Sequence, residues 1–221
     1  MPTVKTSDAR HPLWPAVVLA GGLSRRMGRP KSDLLLDGKT MLWRIVERLQ
    51  PQVASVAINL NGAGERAAIE GHPVICDTVP GFLGPLAGVL TAMRHAAAAT
   101  PTATHVLVVP TDTPFFPHDL AQRLTDAMTG REQIAVASSD GALHPLFALW
   151  SVGLADDLEH WLTTDPKRRV RTFIERHPSV TVDFPMTTTT SGLFDPFFNI
   201  NTPDDLLRAE EWLGILGENS A

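Results

Sequence analysis

The stretch that most constrains the chain is Ala16-Val17-Val18-Leu19-Ala20-Gly21-Gly22-Leu23-Ser24-Arg25-Arg26-Met27-Gly28-Arg29-Pro30-Lys31. It begins as a short apolar run led by β-branched valines, the pattern of a buried strand, and breaks at once into paired glycines. Glycines there let backbone N–H groups come within reach of a ligand. Arg25, Arg26, Arg29 and Lys31 then gather four positive charges in seven residues, in a chain whose formal net charge is −5. That local reversal of sign predicts an anion site; the plain alternative is a turn followed by a solvated basic helix start. The spacing fits neither of two familiar phosphate loops. A Walker loop needs Lys and then Ser or Thr directly after its last glycine, whereas Arg29 and Pro30 separate Gly28 from Lys31. A dinucleotide fingerprint needs an acidic residue closing the second strand, and here that strand closes in Asn59-Leu60-Asn61.

Strand and helix patterns alternate through the first half of the chain. Thr40 is predicted to cap a helix over 41–49, in which Leu42, Ile45, Val46 and Leu49 recur on one face. Strands are expected over 53–59 and 73–76. Gly84-Pro85 opens a small-residue helix that runs to Ala99, with Pro in the first turn, where a missing N–H does no harm. The remaining first-turn N–H groups would face a ligand, unless the segment is a plain strand-to-helix turn. A continuous apolar strand over 105–109 stops sharply at Pro110-Thr111-Asp112-Thr113-Pro114. Asp112 therefore stands just past the end of a buried strand, where open α/β sheets place ligands. A helix is expected from 117 to about 128. This alternation predicts an α/β fold with a mostly parallel, doubly wound sheet.

The last third is less regular. Strands over 134–138 and 146–150 are expected to join through Asp140-Gly141 as a hairpin. Helices over 152–162 and 166–176, a strand over 180–184, a flexible loop over 187–192 and a short strand over 197–201 follow. Thr202 and Pro203 then cap a helix ending near 213. Residues 1–14 read as a flexible extension and 15–221 as a single domain, a size and apolar fraction (43%) suited to one core.

Several classes fall away. No apolar run reaches membrane-span length and the polar start lacks a signal-like hydrophobic region, so no membrane and a cytoplasmic location are expected. The single Cys76 cannot form an internal disulfide and reads as a small buried hydrophobe. There is no zinc-type Cys/His spacing, no H-E-x-x-H and no G-x-S-x-G. A pI near 5.9, without a long basic run or an aromatic-rich strand, argues against nucleic acid as a partner.

The groups left over lie at the expected ends of strands one to four and of the last strand, and in parallel sheets such ends share an edge. Backbone donors and cations from the first loop, further donors at Gly84, and the carboxylates of Asp77 and Asp112 suit a nucleoside triphosphate with a divalent metal. Magnesium takes one or two protein oxygens plus phosphate oxygens, so Asp112, aided by the Asn199 amide, is enough.

Four segments taken together resemble the signatures of the molybdenum cofactor guanylyltransferases. They are Leu19-Ala20-Gly21-Gly22-x-Ser24-x-Arg26-Met27-Gly28-x-x-Lys31, Gly84-Pro85-Leu86-Ala87-Gly88, Pro110-x-Asp112-x-Pro114-Phe115 and Asn199-Ile200-Asn201-Thr202-Pro203. The match runs in order from about 16 to 213. The resemblance implies a Rossmann-like three-layer sandwich of the nucleotide-diphospho-sugar transferase type. It implies transfer of GMP from GTP to the phosphate of molybdopterin with release of pyrophosphate, and Mg2+ as cofactor. Leu19, Ala20 and Gly21 would hold the nucleotide, Gly22, Arg25 and Lys31 the triphosphate, and Asn59, Asp77 and Gly84 further parts of the nucleotide. The Asp77 carboxylate is chemically suited to the guanine N1–H and N2–H donors. Asp112 matches the metal-binding aspartate, Asn199 and Asn201 a pair near the active site, with Asn201 alternatively a helix cap. Of Arg25 and Arg26, one would reach the phosphates and the other face solvent.

The resemblance leaves other readings beside these. Lys167-Arg168-Arg169 with Arg171 is either a solvated helix face or a source of charge for the molybdopterin phosphate. His144-Pro145 matches an acceptor-side motif, but a lone histidine is more often structural and is not placed with Arg25, Lys31 and Asp112, the residues the resemblance implies as catalytic. Pro30 stands where relatives often have Asp, a form also met in cytidylyltransferase cousins. The alternatives are therefore a molybdopterin cytidylyltransferase, a sugar-phosphate nucleotidyltransferase, or a non-catalytic carrier, the last disfavoured by Lys31 and Asp112 occurring together. Transient contact with molybdoenzymes or other cofactor-biosynthesis proteins is the expected protein partnership.

Overall fold

The computed structural model describes residues 13–21, 33–61, 68–69, 71–79, 81, 84–165 and 167–218. In chain order, β1 (Pro15–Leu19) is followed by β2 (Leu35–Leu36), β3 (Lys39–Thr40), α1 (Met41–Leu49), β4 (Ser55–Asn59), β5 (Ala68–Ile69), β6 (His72–Ile75) and α2 (Pro85–Ala99). The second half runs β7 (His105–Pro110), α3 (Leu120–Asp126), β8 (Ile134–Ser139), β9 (Ala142–Ser151), α4 (Ala155–Thr164) and α5 (Val170–Ile174). It ends with β10 (Ser179–Asp183), β11 (Thr187–Thr189), β12 (Gly192–Phe194) and α6 (Pro203–Glu218).

Eight strands form one sheet in the order β10-β8-β9-β7-β1-β4-β6-β5. β7, β1, β4 and β6 are mutually parallel, while β9 and the edge strand β5 run against them. The result is an α/β fold with a mixed, mostly parallel sheet. β1 is buried along its whole length, as its unbroken valine run requires of a strand with parallel neighbours and helices on both faces. One face packs Ile45, Leu49, Phe116 and Leu120 against the sheet, and the other packs Leu86, Leu90, Leu158 and Phe173. These are the outer layers of a three-layer sandwich. A smaller cluster, with Leu36, Met41, Phe194, Ile200 and Trp212, docks α6 beside the β2–β3 hairpin.

Local chemistry accounts for most element boundaries. Thr40 Oγ1 accepts from the Trp43 N–H at 3.1 Å and caps α1, whose buried face holds Leu42, Ile45, Val46 and Leu49. The Asp140-Gly141 turn has positive φ at both residues (47° and 74°), the condition for a two-residue hairpin, and joins β8 to β9. Asp37-Gly38 repeats it (48° and 75°) in the β2–β3 hairpin, which the sequence reading leaves as a plain connection.

Several expectations need correction. The segment 187–192 is not a loop: β11 pairs antiparallel with β12. The segment 197–201 is not a strand, because Asp195 folds it into a turn by accepting from the N–H of Phe197 (2.8 Å, on its carboxylate) and of Phe198 (3.0 Å, on its carbonyl). The helix expected over 166–176 shrinks to α5, since Arg168 takes φ 46° and its N–H and Nε–H donate to Asp165 and to the Leu162 carbonyl. Conversely β9 starts at Ala142, four residues earlier than expected, and α6 reaches Glu218. Cys76 is exposed rather than buried, because it lies past the end of β6 near the edge of the sheet. Trp14 is docked, its Nε1–H donating to Thr125 Oγ1 at 3.0 Å.

Candidate active site

The C-terminal tips of β1, β4, β6 and β7 meet along one rim. The Ala20 N–H donates to the Asn59 carbonyl (2.8 Å) and the Thr111 N–H to the Leu19 carbonyl (3.3 Å), so Leu19, Ala20 and Gly21 leave the sheet between the other two tips. Asn59, 3% exposed, donates through Nδ2 to Asp77 Oδ1 at 3.0 Å and to the Ile75 carbonyl at 3.3 Å. Asn61 Nδ2 donates to the other carboxylate oxygen at 2.5 Å, while the Asp77 N–H donates back to Asn61 Oδ1 at 2.8 Å. Asp77 is thereby held in one orientation, half-buried, and a carboxylate with two donors in place still has acceptor capacity for more.

Asn61 is the residue that the sequence reading misses. The signal was there: two asparagines two apart in an extended segment project to the same side. Packing beneath the network is tight. A Cβ on Gly88 would lie 2.8 Å from Asn59 Oδ1 and 2.8 Å from Leu19 Cδ2, so only glycine lets α2 approach this closely. Thr91 joins α2 to the chain after Asp77, accepting from the Thr78 N–H at 3.1 Å and donating to the Ala87 carbonyl at 2.9 Å. Gly84 precedes the helix at φ 81°, a conformation that favours glycine, with Pro85 in the first turn as expected.

Asp112, half-buried, follows the tip of β7. Thr113 Oγ1 donates to its Oδ1 at 3.3 Å, and its carbonyl accepts from the Ile200 N–H at 2.8 Å. That single backbone bond brings Asn199 and Asn201, both exposed, to the β7 tip without the strand expected there. The cap of α6 is Thr202, not Asn201: Thr202 Oγ1 accepts from the Asp205 N–H, and the Asp205 carboxylate accepts from the N–H of Asn201 and Thr202. Burial acts to raise the Asp205 pKa, but those N–H groups, the Thr202 hydroxyl and Arg208 outweigh it and hold the carboxyl below its ordinary value.

On the far side of β7, Ser139 Oγ donates to Asp195 Oδ1 at 2.8 Å and lies 2.7 Å from His144 Nε2. The His144 ring stacks on Phe197 with centroids 4.3 Å apart and planes 19° apart. Burial pulls the His144 pKa below its ordinary value, against the opposing pull of Asp195. In the basic run, Arg168 is tied to the backbone and Arg171 to Glu175 (2.9 Å), which leaves Lys167 and Arg169 as exposed cations. Gly22, Arg25, Arg26 and Lys31 lie outside the described residues.

Among the described residues, no group of three or more His, Cys, Asp or Glu is placed to hold a metal by itself. Asp112 and Asn199 both carry oxygens, the hard donors that a divalent cation takes, and the Ile200 N–H bond to the Asp112 carbonyl brings the two segments to the same strand tip. Phosphoryl transfer asks a protein mainly for alignment and charge neutralisation. A rim that orients acceptors and carries an acid at its centre meets that need: this is a nucleotidyltransferase. The chain belongs to the MobA-like NTP transferase family, whose model matches residues 16–181. It is 60% identical over 202 residues to a molybdenum cofactor guanylyltransferase of Rhizobium meliloti, covering 91% of this chain and 93% of the relative. Among solved structures, molybdopterin-guanine dinucleotide biosynthesis protein A of Archaeoglobus fulgidus superposes with TM-score 0.69 at 27% identity, over 90% of this chain and 98% of that one. A Mycobacterium tuberculosis protein of the same fold, solved in complex with manganese, has TM-score 0.64 at 19% identity, over 90% and 98% of the two chains.

Proposed function

We infer that this nucleotidyltransferase is a molybdenum cofactor guanylyltransferase, moving GMP from GTP to the phosphate of molybdopterin and forming the guanine dinucleotide form of the cofactor. The observation that carries the reading of guanine is the Asp77 carboxylate, held at the rim by Asn59 on one oxygen and Asn61 on the other. Guanine presents two adjacent donors, N1–H and N2–H, to such a pair of acceptors. Cytosine presents one donor beside an acceptor, so the same carboxylate would leave a repulsive contact. The relative at 60% identity supports the same activity.

An oxygen of the molybdopterin phosphate attacks the GTP α-phosphorus, and the bond to the bridging oxygen breaks as pyrophosphate leaves. Leu19, Ala20, Gly21 and Gly84 present backbone groups to the nucleotide, and Gly22, Arg25 and Lys31 serve the triphosphate end. Asp112, with Asn199 and Asn201 beside it, would hold the magnesium ion, which when bound neutralises charge at the reacting phosphates. No helix among the described residues is long and apolar enough to cross a membrane. A GTP-consuming enzyme works where GTP is supplied, which assigns it to the cytoplasm, and its product passes to molybdoenzymes by transient contact.

The test is pyrophosphate release from GTP or CTP in the presence of magnesium and molybdopterin. Release from GTP, dependent on the acceptor, is expected. Preference for CTP would make the protein a cytidylyltransferase, and no release from either would make it a carrier.

A further inference from the structure

We propose that Asp195 and Ser139 lock His144 in its Nε2–H tautomer, so that His144 Nδ1 serves as the general base for the acceptor phosphate. The argument starts from proton counting. A serine hydroxyl has one proton, and a carboxylate can only accept. Ser139 Oγ, 2.8 Å from Asp195 Oδ1, therefore gives its proton to Asp195. At 2.7 Å from His144 Nε2 it can only accept, so Nε2 carries the ring proton and Nδ1 carries the lone pair. Ser139 is fully buried, which removes water as a competing partner. Asp195 Oδ1 also accepts from the Phe197 N–H, and Phe197 is the platform on which the ring stacks. One carboxylate oxygen thus sets both the tautomer and the plane of a half-buried ring.

Sheet order says on which flank of Asp112 this ring lies. Leu19, Asn59 and Asp77 lie on the β1–β4–β6 side of Asp112, whereas β9 lies on the opposite side of β7. β9 runs antiparallel to β7, their pairing runs from His105↔Ser151 to Val108↔Ala148, and His144 stands four residues further out, beyond the β7 tip. The segment that carries Phe197 continues to Ile200, which bonds the Asp112 carbonyl. With the nucleotide on one side of Asp112, the other side is left to the group that attacks. This step rests on the guanylyl-transfer reading above.

A phosphate monoester carries its last proton with a pKa near 6, so part of the acceptor arrives as the monoanion. Its O–H proton goes to His144 Nδ1, and the freed oxygen pair forms the bond to the α-phosphorus. The bond to the bridging oxygen breaks, and pyrophosphate leaves with that electron pair. The imidazolium keeps Nε2–H on Ser139, with Asp195 behind it, and returns the added proton to solvent. Asp195 and Ser139 are positioning residues in this scheme.

Two measurements on the full chain test it. Nitrogen-15 NMR of the histidine rings should find His144 in the Nε2–H tautomer, and Ser139→Ala should turn it into a mixture; a wild-type Nδ1–H tautomer overturns the relay. His144→Gln should lower turnover roughly 100-fold or more, while affinity for GTP with magnesium stays within about twofold. Turnover near wild type, or a parallel loss of GTP affinity, overturns the base. Wild-type protein that releases no pyrophosphate from GTP refutes the guanylyl-transfer reading and the base with it, while the NMR result still judges the relay.

Discussion

The two flanks of Asp112 are built differently. On the flank proposed for the nucleotide the strands are parallel, and Asn59, Asn61 and Asp77 each sit within two residues of a strand tip. Asn59, Asn61 and Asp77 come together across 16 to 18 residues of chain because two adjacent parallel strands deliver their ends to the same edge. On the flank proposed for the acceptor, Ser139 and His144 come from an antiparallel hairpin and Asp195 from an irregular segment 56 residues on. Nothing in strand direction requires those three to meet. Side-chain hydrogen bonds hold what topology does not, so the acceptor flank should be the more fragile under point substitution and the nucleotide flank the more fragile under changes of backbone.

Asp112 stands between the flanks, so its loss should have the largest effect. Asp112→Ala is expected to abolish acceptor-dependent pyrophosphate release while circular dichroism stays that of the native fold; near-normal turnover would remove Asp112 from the centre. Asp77→Ala should act on one flank only, raising KM for GTP by roughly 10- to 100-fold, about 1–3 kcal/mol for lost charged hydrogen bonds. The KM for molybdopterin should stay put, and a shift in both would break the division between the flanks. Gly88→Ala sharpens the point about backbone. In a helix interior the change would normally stabilise by about 1 kcal/mol, but a Cβ at 2.8 Å from Asn59 Oδ1 and Leu19 Cδ2 should reverse the sign. Urea unfolding is expected to show a loss of roughly 1–3 kcal/mol, typical of overpacking.

The smallest effect is a pH dependence shared by the whole molecule. Burial lowers the pKa values of His95, His105, His118 and His144, with Arg48 adding to the effect at His118. A histidine depressed in the folded state binds its proton less readily there than in the unfolded chain, so stability rises with pH across the interval. Unfolding midpoints in urea should therefore fall as pH drops below about 6.5 and hold steady above 7; a midpoint that rises on acidification would contradict the burial of these rings.

The nucleotide flank was legible in the sequence because its information is local. The valine run into Gly21, the Thr40 cap with its four-residue apolar face, Gly84-Pro85, and Asp112 behind a buried strand each state their role within a few residues. Asn61 lies two residues past the end of β4, where the strand's alternation still sets its side chain beside that of Asn59. Cys76 was misplaced because its neighbours in sequence say nothing about the sheet edge it occupies. The 187–192 segment reads as a loop because its threonines show no apolar alternation to mark a strand, although Ser191-Gly192 after them is a turn signal. The segment 197–201 looked like a strand because Phe197-Phe198-Asn199-Ile200 is apolar, and it became a turn because the Asp195 side chain competes for the Phe197 N–H.

By itself the sequence determined an α/β fold, the rim on which its glycine-ended strand and Asp112 lie, and the kind of ligand such a rim takes. Periodicity, caps and turn residues act over a handful of positions, and the parallel sheet converts them into a shared edge. Only the tertiary structure decided that Asn61 steadies Asp77, that Ile200 ties the asparagine segment to Asp112, and that Ser139 stands between His144 and Asp195. Each of those depends on a hydrogen bond of about 3 Å or less to a residue distant in the chain, which for Ser139 is Asp195. No local pattern encodes such a distance, because it is the outcome of packing the whole core.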